Sequence, residues 1–183
     1  EVISETDTLM ARFRGLLRIS ELEDRQRRSG FQVFDPLPLL QELHDFYLPL
    51  AEEGQLELLL QAPEALPSVT GDRALLFEAL SNLLSNSIKF TPPGGEVLLR
   101  GINDAGSTCI EVVDTGPGIP EAERVAVFQR FYRVGDGQQQ GSFGLGLSIV
   151  AAIVNLHGFG LEVGSSERGG ARLTLECRQK NPL

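Results

Sequence analysis

The segment Asp72–Phe90 constrains this chain more than any other. On a wheel turning by about 100° per residue, Leu76, Leu80, Leu83, Leu84 and Ile88 gather on one side. With Asn82 as origin, Asn86 falls at about +40°, Lys89 at about −20° and Glu78 at about −40° on the other side. Asp72 stands where an N-cap belongs, and Pro92-Pro93-Gly94-Gly95 stops the helix. The leucine face must be buried against a sheet or other helices. The polar face is unusual, because solvated faces carry Lys and Glu, whereas Asn is a poor mid-helix residue. Amide oxygens suit a hard cation such as Mg²⁺, and lysine is a point charge for phosphate. Asn82, Asn86 and Lys89 together suit a metal-bridged polyphosphate.

Around this helix, strand and helix patterns alternate. Phe31–Phe34 predicts a short strand, and Asp35-Pro36 an N-cap with proline at the first helical position, opening a helix to about Glu53 that Pro49 is expected to kink or shorten. Leu56–Leu60 reads as a strand. Glu96–Ile102 and Cys109–Val113, joined by Asn103-Asp104-Ala105-Gly106, read as a hairpin. A short helix is expected near Glu121–Arg130, a longer one over Leu145–Leu156, and a closing strand pair at Leu161–Val163 and Ala171–Cys177. This mixture predicts an α+β protein: a two-layer α/β sandwich whose mixed sheet carries helices on one face. In front of it, Glu1–Arg28 reads as one long helix. Ile3, Met10 and Leu17 recur every seven residues, and Leu9, Phe13 and Leu16 widen the stripe, so the helix requires a partner. Glu23–Gly30 loses the stripe and ends in glycine, which places the boundary between residues 1–28 and a domain over 29–183.

Two glycine-rich loops flank the middle of that domain. Asp114-Thr115-Gly116-Pro117-Gly118-Ile119 follows a strand directly. A carboxylate there can accept a hydrogen bond from an exocyclic amine, and the glycines let a ring approach the backbone. Gly141-Ser142-Phe143-Gly144-Leu145-Gly146-Leu147 runs into a helix, whose free N–H groups can hold phosphate oxygens. The spacing is neither a Walker A loop nor a dinucleotide fingerprint. Between the loops, Phe128–Arg133 and a polar stretch to Gln140 have the composition of a lid that brings Arg130 or Arg133 to phosphates, while the aromatics also suit plain packing.

The net charge of −9 argues against a general nucleic-acid binder, yet a nucleotide responds to the local field. Cys109 and Cys177 lie in strand-like stretches without metal-ligand spacing and are expected to be buried thiols of a reducing compartment. No signal peptide is visible, and the longest apolar run, Ile149–Val154, is too short to cross a bilayer. His44 and His157 are expected to be structural helix residues.

Taken in order, these pieces resemble the histidine kinase family with its Bergerat (GHKL) ATP-binding fold. Asn82–Thr91 matches the N box, Asp114–Ile119 the G1 box, Phe128–Phe131 the F box and Gly144–Val150 the G2 box. The resemblance covers roughly Phe31–Cys177, and Glu1–Arg28 is similar to the second helix of the family's dimerisation and phosphotransfer hairpin. It implies ATP and Mg²⁺ as ligands. Asn82, Asn86 and Lys89 would form the reactive Mg-phosphate end. Asp114 would bind the adenine amine, with Gly116, Gly118 and Ile119 shaping the pocket. Arg130, Phe131, Arg133, Gly141, Gly144, Leu145, Gly146 and Leu147 would complete the phosphate side and the lid. It also implies γ-phosphoryl transfer to a histidine on the hairpin, relay to the aspartate of a response-regulator receiver domain, and homodimerisation through the hairpin helices. The chain is then expected to be the cytoplasmic domain of a bacterial sensor kinase anchored in the inner membrane, with the acceptor histidine upstream of residue 1. Two alternatives stay open: a GHKL-type ATPase, which carries a Glu acting on water where this chain has Asn82, and a degenerate nucleotide-binding scaffold.

Overall fold

The computed structural model describes residues 2–23, 30–130, 132 and 146–179. The elements follow in the order α1 (Val2–Glu23), β1 (Gln32–Phe34), α2 (Pro36–Glu53), β2 (Glu57–Gln61), β3 (Val69–Gly71), α3 (Arg73–Phe90), β4 (Glu96–Asp104), β5 (Ser107–Asp114), α4 (Gly146–His157), β6 (Gly160–Ser165) and β7 (Ala171–Glu176). The main sheet has the order β2-β4-β5-β7-β6. It is parallel between β2 and β4 and antiparallel elsewhere. A separate two-stranded ribbon pairs β1 with β3.

Alternation along the strands sorts the two faces of the sheet. Val97 and Leu99 of β4, Ile110 and Val112 of β5, and Leu173 and Leu175 of β7 join Leu40 and Leu43 of α2, Leu80, Leu83 and Leu84 of α3, and Ile153 of α4 in one core. The residues between them face the other way. There Arg100 Nη1 donates to Glu111 Oε2 at 3.2 Å, and Thr174 Oγ1 donates to Glu111 Oε1 at 3.3 Å, across neighbouring strands. The helices therefore lie on one face, the GHKL/Bergerat arrangement. Among the described residues no helix is long and apolar enough to cross a membrane.

Local chemistry sets the element ends. The Asp35 carboxylate accepts the Leu37 N–H at 2.9 Å, and the Asp72 carboxylate accepts the Leu75 N–H at 3.1 Å. With Pro36 in the first turn, α2 runs on through Pro49 to Glu53, so that proline neither shortens the helix nor ends it. The β4–β5 hairpin turns through Ala105 and Gly106, both at positive φ, with the Asn103 side chain accepting from Gly106 N–H at 3.1 Å. Two expectations change. The helix expected near Glu121–Arg130 is a pair of 3₁₀ turns, Glu121–Glu123 and Ala126–Phe128. The strand β3, three residues long, was not anticipated.

The start of α3 is fixed from an unexpected side. His157, at the end of α4 and 1% exposed, accepts the Asp72 N–H on Nε2 at 3.0 Å. Its Nδ1 faces the Ile153 carbonyl at 2.8 Å, and its ring stacks on Phe31 at 4.6 Å. One imidazole thus ties the β1–β3 ribbon, the first turn of α3 and the last turn of α4 together. Cys109 is a buried free thiol raised in pKa by burial and, secondarily, by Asp104; Cys177 is a partly buried free thiol.

The long first helix is described to Glu23, and its expected extension to Arg28 lies outside the described residues. It presents two apolar faces where the sequence pattern suggested one. Ile19 and Leu22, each 2% exposed, are buried where α1 packs on α4, while Leu9 (64% exposed), Met10, Phe13 (57%) and Leu17 remain in the open.

Candidate functional site

The leucine face of α3 lies in the core, so its opposite face is turned toward the start of α4, and two of the expected residues meet there. The Asn82 Nδ2 donates to the Glu78 carbonyl one turn earlier at 3.1 Å, which leaves Oδ1 as the outward atom. A Cβ placed on Gly146, the first residue of α4, would stand 3.6 Å from Asn82 Oδ1 and from Asn86 Nδ2, and 3.9 Å from Asn86 Oδ1. Both amides therefore border the helix end whose N–H groups lack intrahelical partners. Lys89 is an exposed residue in the last turn of the same helix, with its Nζ 5.6 Å from the centre of the Phe90 ring. Leu147 packs against the core one residue into α4.

The second part is built at the end of β5. Asp114 is buried, and its Oδ1 accepts two backbone N–H groups, from Gly116 and from Ala171, each at 3.0 Å. Among the described residues its Oδ2 has no hydrogen-bond partner. One oxygen fixes the carboxylate and the other is left as an acceptor. Gly116 sits against Asp114 Oδ1, the Phe90 carbonyl and Thr91, so this loop touches the end of α3. Thr115 pins the loop to β4: its Oγ1 accepts the Glu96 N–H at 2.9 Å. Gly118 has φ +75° and lies against Gly170. Ile119 packs on the core, and its carbonyl accepts from Arg124 Nε at 3.1 Å.

Gly170 and Ala171 were not singled out from the sequence. A Cβ on Gly170 would stand 2.2 Å from the Asp114 carbonyl oxygen and 2.3 Å from its Oδ1, so glycine is required there by close approach. The Gly169-Gly170 pair before the last strand was the available signal, although it reads as an ordinary turn until β7 is placed beside β5.

Arg130 goes elsewhere. Its guanidinium donates to Glu23 of α1 at 2.6 Å. Glu78, considered as a possible base, is held by Arg18 of α1 through Nε–Oε1 at 3.1 Å and Nη2–Oε2 at 2.6 Å. A hollow of about 610 Å³ between α1, the second 3₁₀ turn and α4 is bordered by Arg130 and Glu23 but by none of Asp114, Asn82 or Asn86. It is separate from the carboxylate and amide groups. Phe131, Arg133, Gly141, Gly144 and Leu145 lie outside the described residues.

The two histidines are both engaged. His157 is buried as described above, and His44 Nε2 contacts the Leu58 carbonyl at 3.1 Å. Among the described residues no group of three or more His, Cys, Asp or Glu side chains is placed to hold a metal. A cation at this site would rely on neutral amide oxygens, which suits Mg²⁺ already carrying phosphate oxygens and water.

Residues 71–181 match the family described as histidine kinase-, DNA gyrase B-, and HSP90-like ATPase. The adaptive-response sensory kinase SasA of Rippkaea orientalis is 35% identical over 123 residues, covering 66% of this chain and 32% of that protein. The alginate biosynthesis sensor protein KinB of Pseudomonas aeruginosa is 29% identical over 174 residues, covering 95% of this chain and 29% of that protein. The chain thus spans about a third of the length of the curated relatives it matches. Among solved structures, full-length ShkA in complex with AMPPNP superposes with a TM-score of 0.80 at 28% identity over 94% of this chain and 36% of that one. The matched residues contain α3, the Asp114 loop, α4 and the Gly170 turn, and the chain belongs to the histidine kinase-, DNA gyrase B- and HSP90-like ATPase family.

Proposed function

We propose that this chain is the Mg-ATP-binding catalytic domain of a sensor histidine kinase, and that in the whole protein it delivers the γ-phosphoryl group to a histidine on the dimerisation hairpin for relay to a response-regulator aspartate. The observation that carries the reading is the meeting of Asn82 Oδ1 and the Asn86 amide at the first residue of α4, on a helix whose far end touches the Asp114 loop. Adenine binds by donating its amine to Asp114 Oδ2, the oxygen that the backbone N–H groups leave unused. The triphosphate runs along α3 to the open N–H groups of α4. Asn82 and Asn86 would hold Mg²⁺, which would neutralise phosphate charge, and Lys89 would add a cation at the end of the same face. The protein's part in the transfer is positioning and charge stabilisation. The histidine nitrogen attacks phosphorus, the bond to the β-phosphate oxygen breaks, and ADP leaves.

The chain divides into a hairpin helix over residues 1–28 and the nucleotide-binding domain over 29–183. The exposed stripe of α1 is the homodimer seam, and the domain faces the cytoplasm beneath a membrane-anchored sensor. The ATPase alternative loses support at two residues. An amide at position 82 cannot take a proton from water, and the Glu78 carboxylate is forked to Arg18. The test combines binding and turnover. The chain should bind Mg-AMPPNP at one site, and with Mg-ATP it should show hydrolysis no faster than a few turnovers per hour. Rapid steady hydrolysis would make it an ATPase, and a folded chain that binds no nucleotide would make it a scaffold.

A further inference from the structure

The helices α2 and α3 lie side by side and run parallel. Glu42 of α2 pairs with Arg73 of α3, and one turn further along both helices the Phe46 ring meets Phe77 edge to face at 6.1 Å. The same register sets Leu50 opposite Ser81, a small side chain that leaves the groove between the helices open. Leu39, Leu40 and Leu43 of α2 are buried, yet Phe46 is 65% exposed and Leu50, one turn on, is 45% exposed. The Phe46 ring is not loose. Tyr47 meets it edge-on at 5.1 Å, and Tyr47 and Phe77 both pack on the core.

The rim of this groove is acidic. Glu42, Asp45, Glu52 and Glu53 are exposed on α2, and the helix carries no Lys or Arg. Glu52 and Glu53 stand in its last turn, where the helix dipole favours cations. Among the described residues neither carboxylate has an ion-pair partner. Both are placed against the preference of the fold itself, and a cation supplied from outside relieves the conflict. A fixed aromatic ring and a leucine ringed by carboxylates repel anionic lipid and nucleic acid. They match a basic, apolar partner. A groove between two parallel helices takes a third helix, one with apolar residues at i, i+3, i+4 and i+7.

We propose that the groove between α2 and α3 is a docking surface for a basic amphipathic helix of a partner protein. Phe46 is the anchor, Leu50 and Phe77 extend the apolar contact, and Glu52 and Glu53 take the partner's Lys or Arg side chains. The surface is independent of the ATP-binding reading above. It uses the side of α3 that faces α2, whereas Asn82 and Asn86 border the start of α4. Only a few side chains supply the apolar area, so the dissociation constant for one isolated helix should be about 10–100 μM.

Calorimetric titration of the full chain at low ionic strength tests this. The probe is a synthetic helical peptide with leucine at i, i+3, i+4 and i+7 and lysine at the flanking positions. It should bind at one site. Phe46→Ser combined with Leu50→Ser should weaken binding at least about tenfold and keep the fold, because both side chains are exposed. Glu52→Gln combined with Glu53→Gln should weaken it about two- to fivefold and flatten its salt dependence. The melting temperature of that variant should hold or rise, since the conflict with the helix dipole is gone. A peptide with glutamate in place of lysine should not bind, and Phe13→Glu on α1 should change nothing. No binding of the lysine peptide, equal binding by the Phe46→Ser, Leu50→Ser variant, or loss of binding in Phe13→Glu would overturn the proposal. A chain that takes the peptide but no Mg-AMPPNP would keep this surface and remove the nucleotide reading.

Discussion

At the residue scale, Asp114 separates holding from recognising. Oδ1 is committed to the Gly116 and Ala171 N–H groups, and Oδ2 is left as an acceptor. Asp114→Asn keeps an oxygen for the two backbone donors and puts an NH₂ where the adenine amine would donate. Nucleotide affinity should fall about 10- to 100-fold in calorimetry. The melting temperature should move by less than about 3 °C. Asp114→Ala should lose binding and stability together, because two N–H groups then lose their acceptor. His157 has no role with nucleotide in this account. His157→Ala should cost about 2–4 kcal/mol in denaturant unfolding, from the cavity it leaves and the lost bond to Asp72. Asp114, Asn82 and Asn86 stand out in the sequence because their residue types conflict with their positions: a carboxylate after a buried strand and amides in a helix interior. His157 was not legible, since nothing local reveals that its Nε2 reaches Asp72, 85 positions away. The buried Cys109 thiol, raised in pKa by its surroundings, should resist iodoacetamide at pH 8 in the folded chain and react after unfolding.

At the element scale, long amphipathic segments were readable, while of the two three-residue strands β1 was expected and β3 was not. The helices α2, α3 and α4 and the β4–β5 hairpin follow from periodicity and caps, because each buries a full face of its own. The three-residue β3 has too few side chains for a period, and it exists because β1 and His157 are there to pair and pack with it. The 3₁₀ turns near Glu121 and Ala126 are tied to distant parts of the chain by bonds such as that from Arg124 Nη2 to Ser165 Oγ at 2.7 Å, so local helix propensity did not alone decide their form. Two glycines distinguish a site requirement from a fold requirement. At Gly146 a Cβ meets the nearest amide atoms at 3.6 Å, an ordinary contact. Gly146→Ala should leave stability unchanged or raise it by about 0.5–1 kcal/mol, while weakening nucleotide binding by occupying space beside the two amides. At Gly170 a Cβ overlaps the Asp114 backbone. Gly170→Ala should destabilise by about 1–3 kcal/mol and lose nucleotide with it. Thermal melts and titrations on the pair of variants separate the two cases.

At the scale of the whole molecule, α1 carries two apolar sides. Its Ile19 and Leu22 side is spent on α4, and the Leu9, Met10, Phe13 and Leu17 side faces outward. An apolar stripe of that length on a helix calls for a partner, which under the proposed function is a second copy. The chain should self-associate in sedimentation at high micromolar concentration, and Phe13→Glu should shift it toward monomer without lowering nucleotide affinity. The heptad of Ile3, Met10 and Leu17 announces the outward stripe. The inward face was hidden, because a few apolar residues near a helix end read as fraying until α4 is seen beneath them. The Arg18 and Glu23 pairs were equally hidden, since a charged residue on a helix reads as solvated whether or not a distant partner meets it. The nucleotide reading itself depends on elements far apart in sequence coming together, and one titration addresses it directly. Calorimetry of the full chain with AMPPNP, with and without Mg²⁺, should show one saturable site that is strengthened by the metal, lost in Asp114→Asn, and no longer strengthened by the metal in the Asn82→Ala, Asn86→Ala double variant. A folded chain that takes up no nucleotide, or one whose binding is indifferent to all three residues, would contradict it.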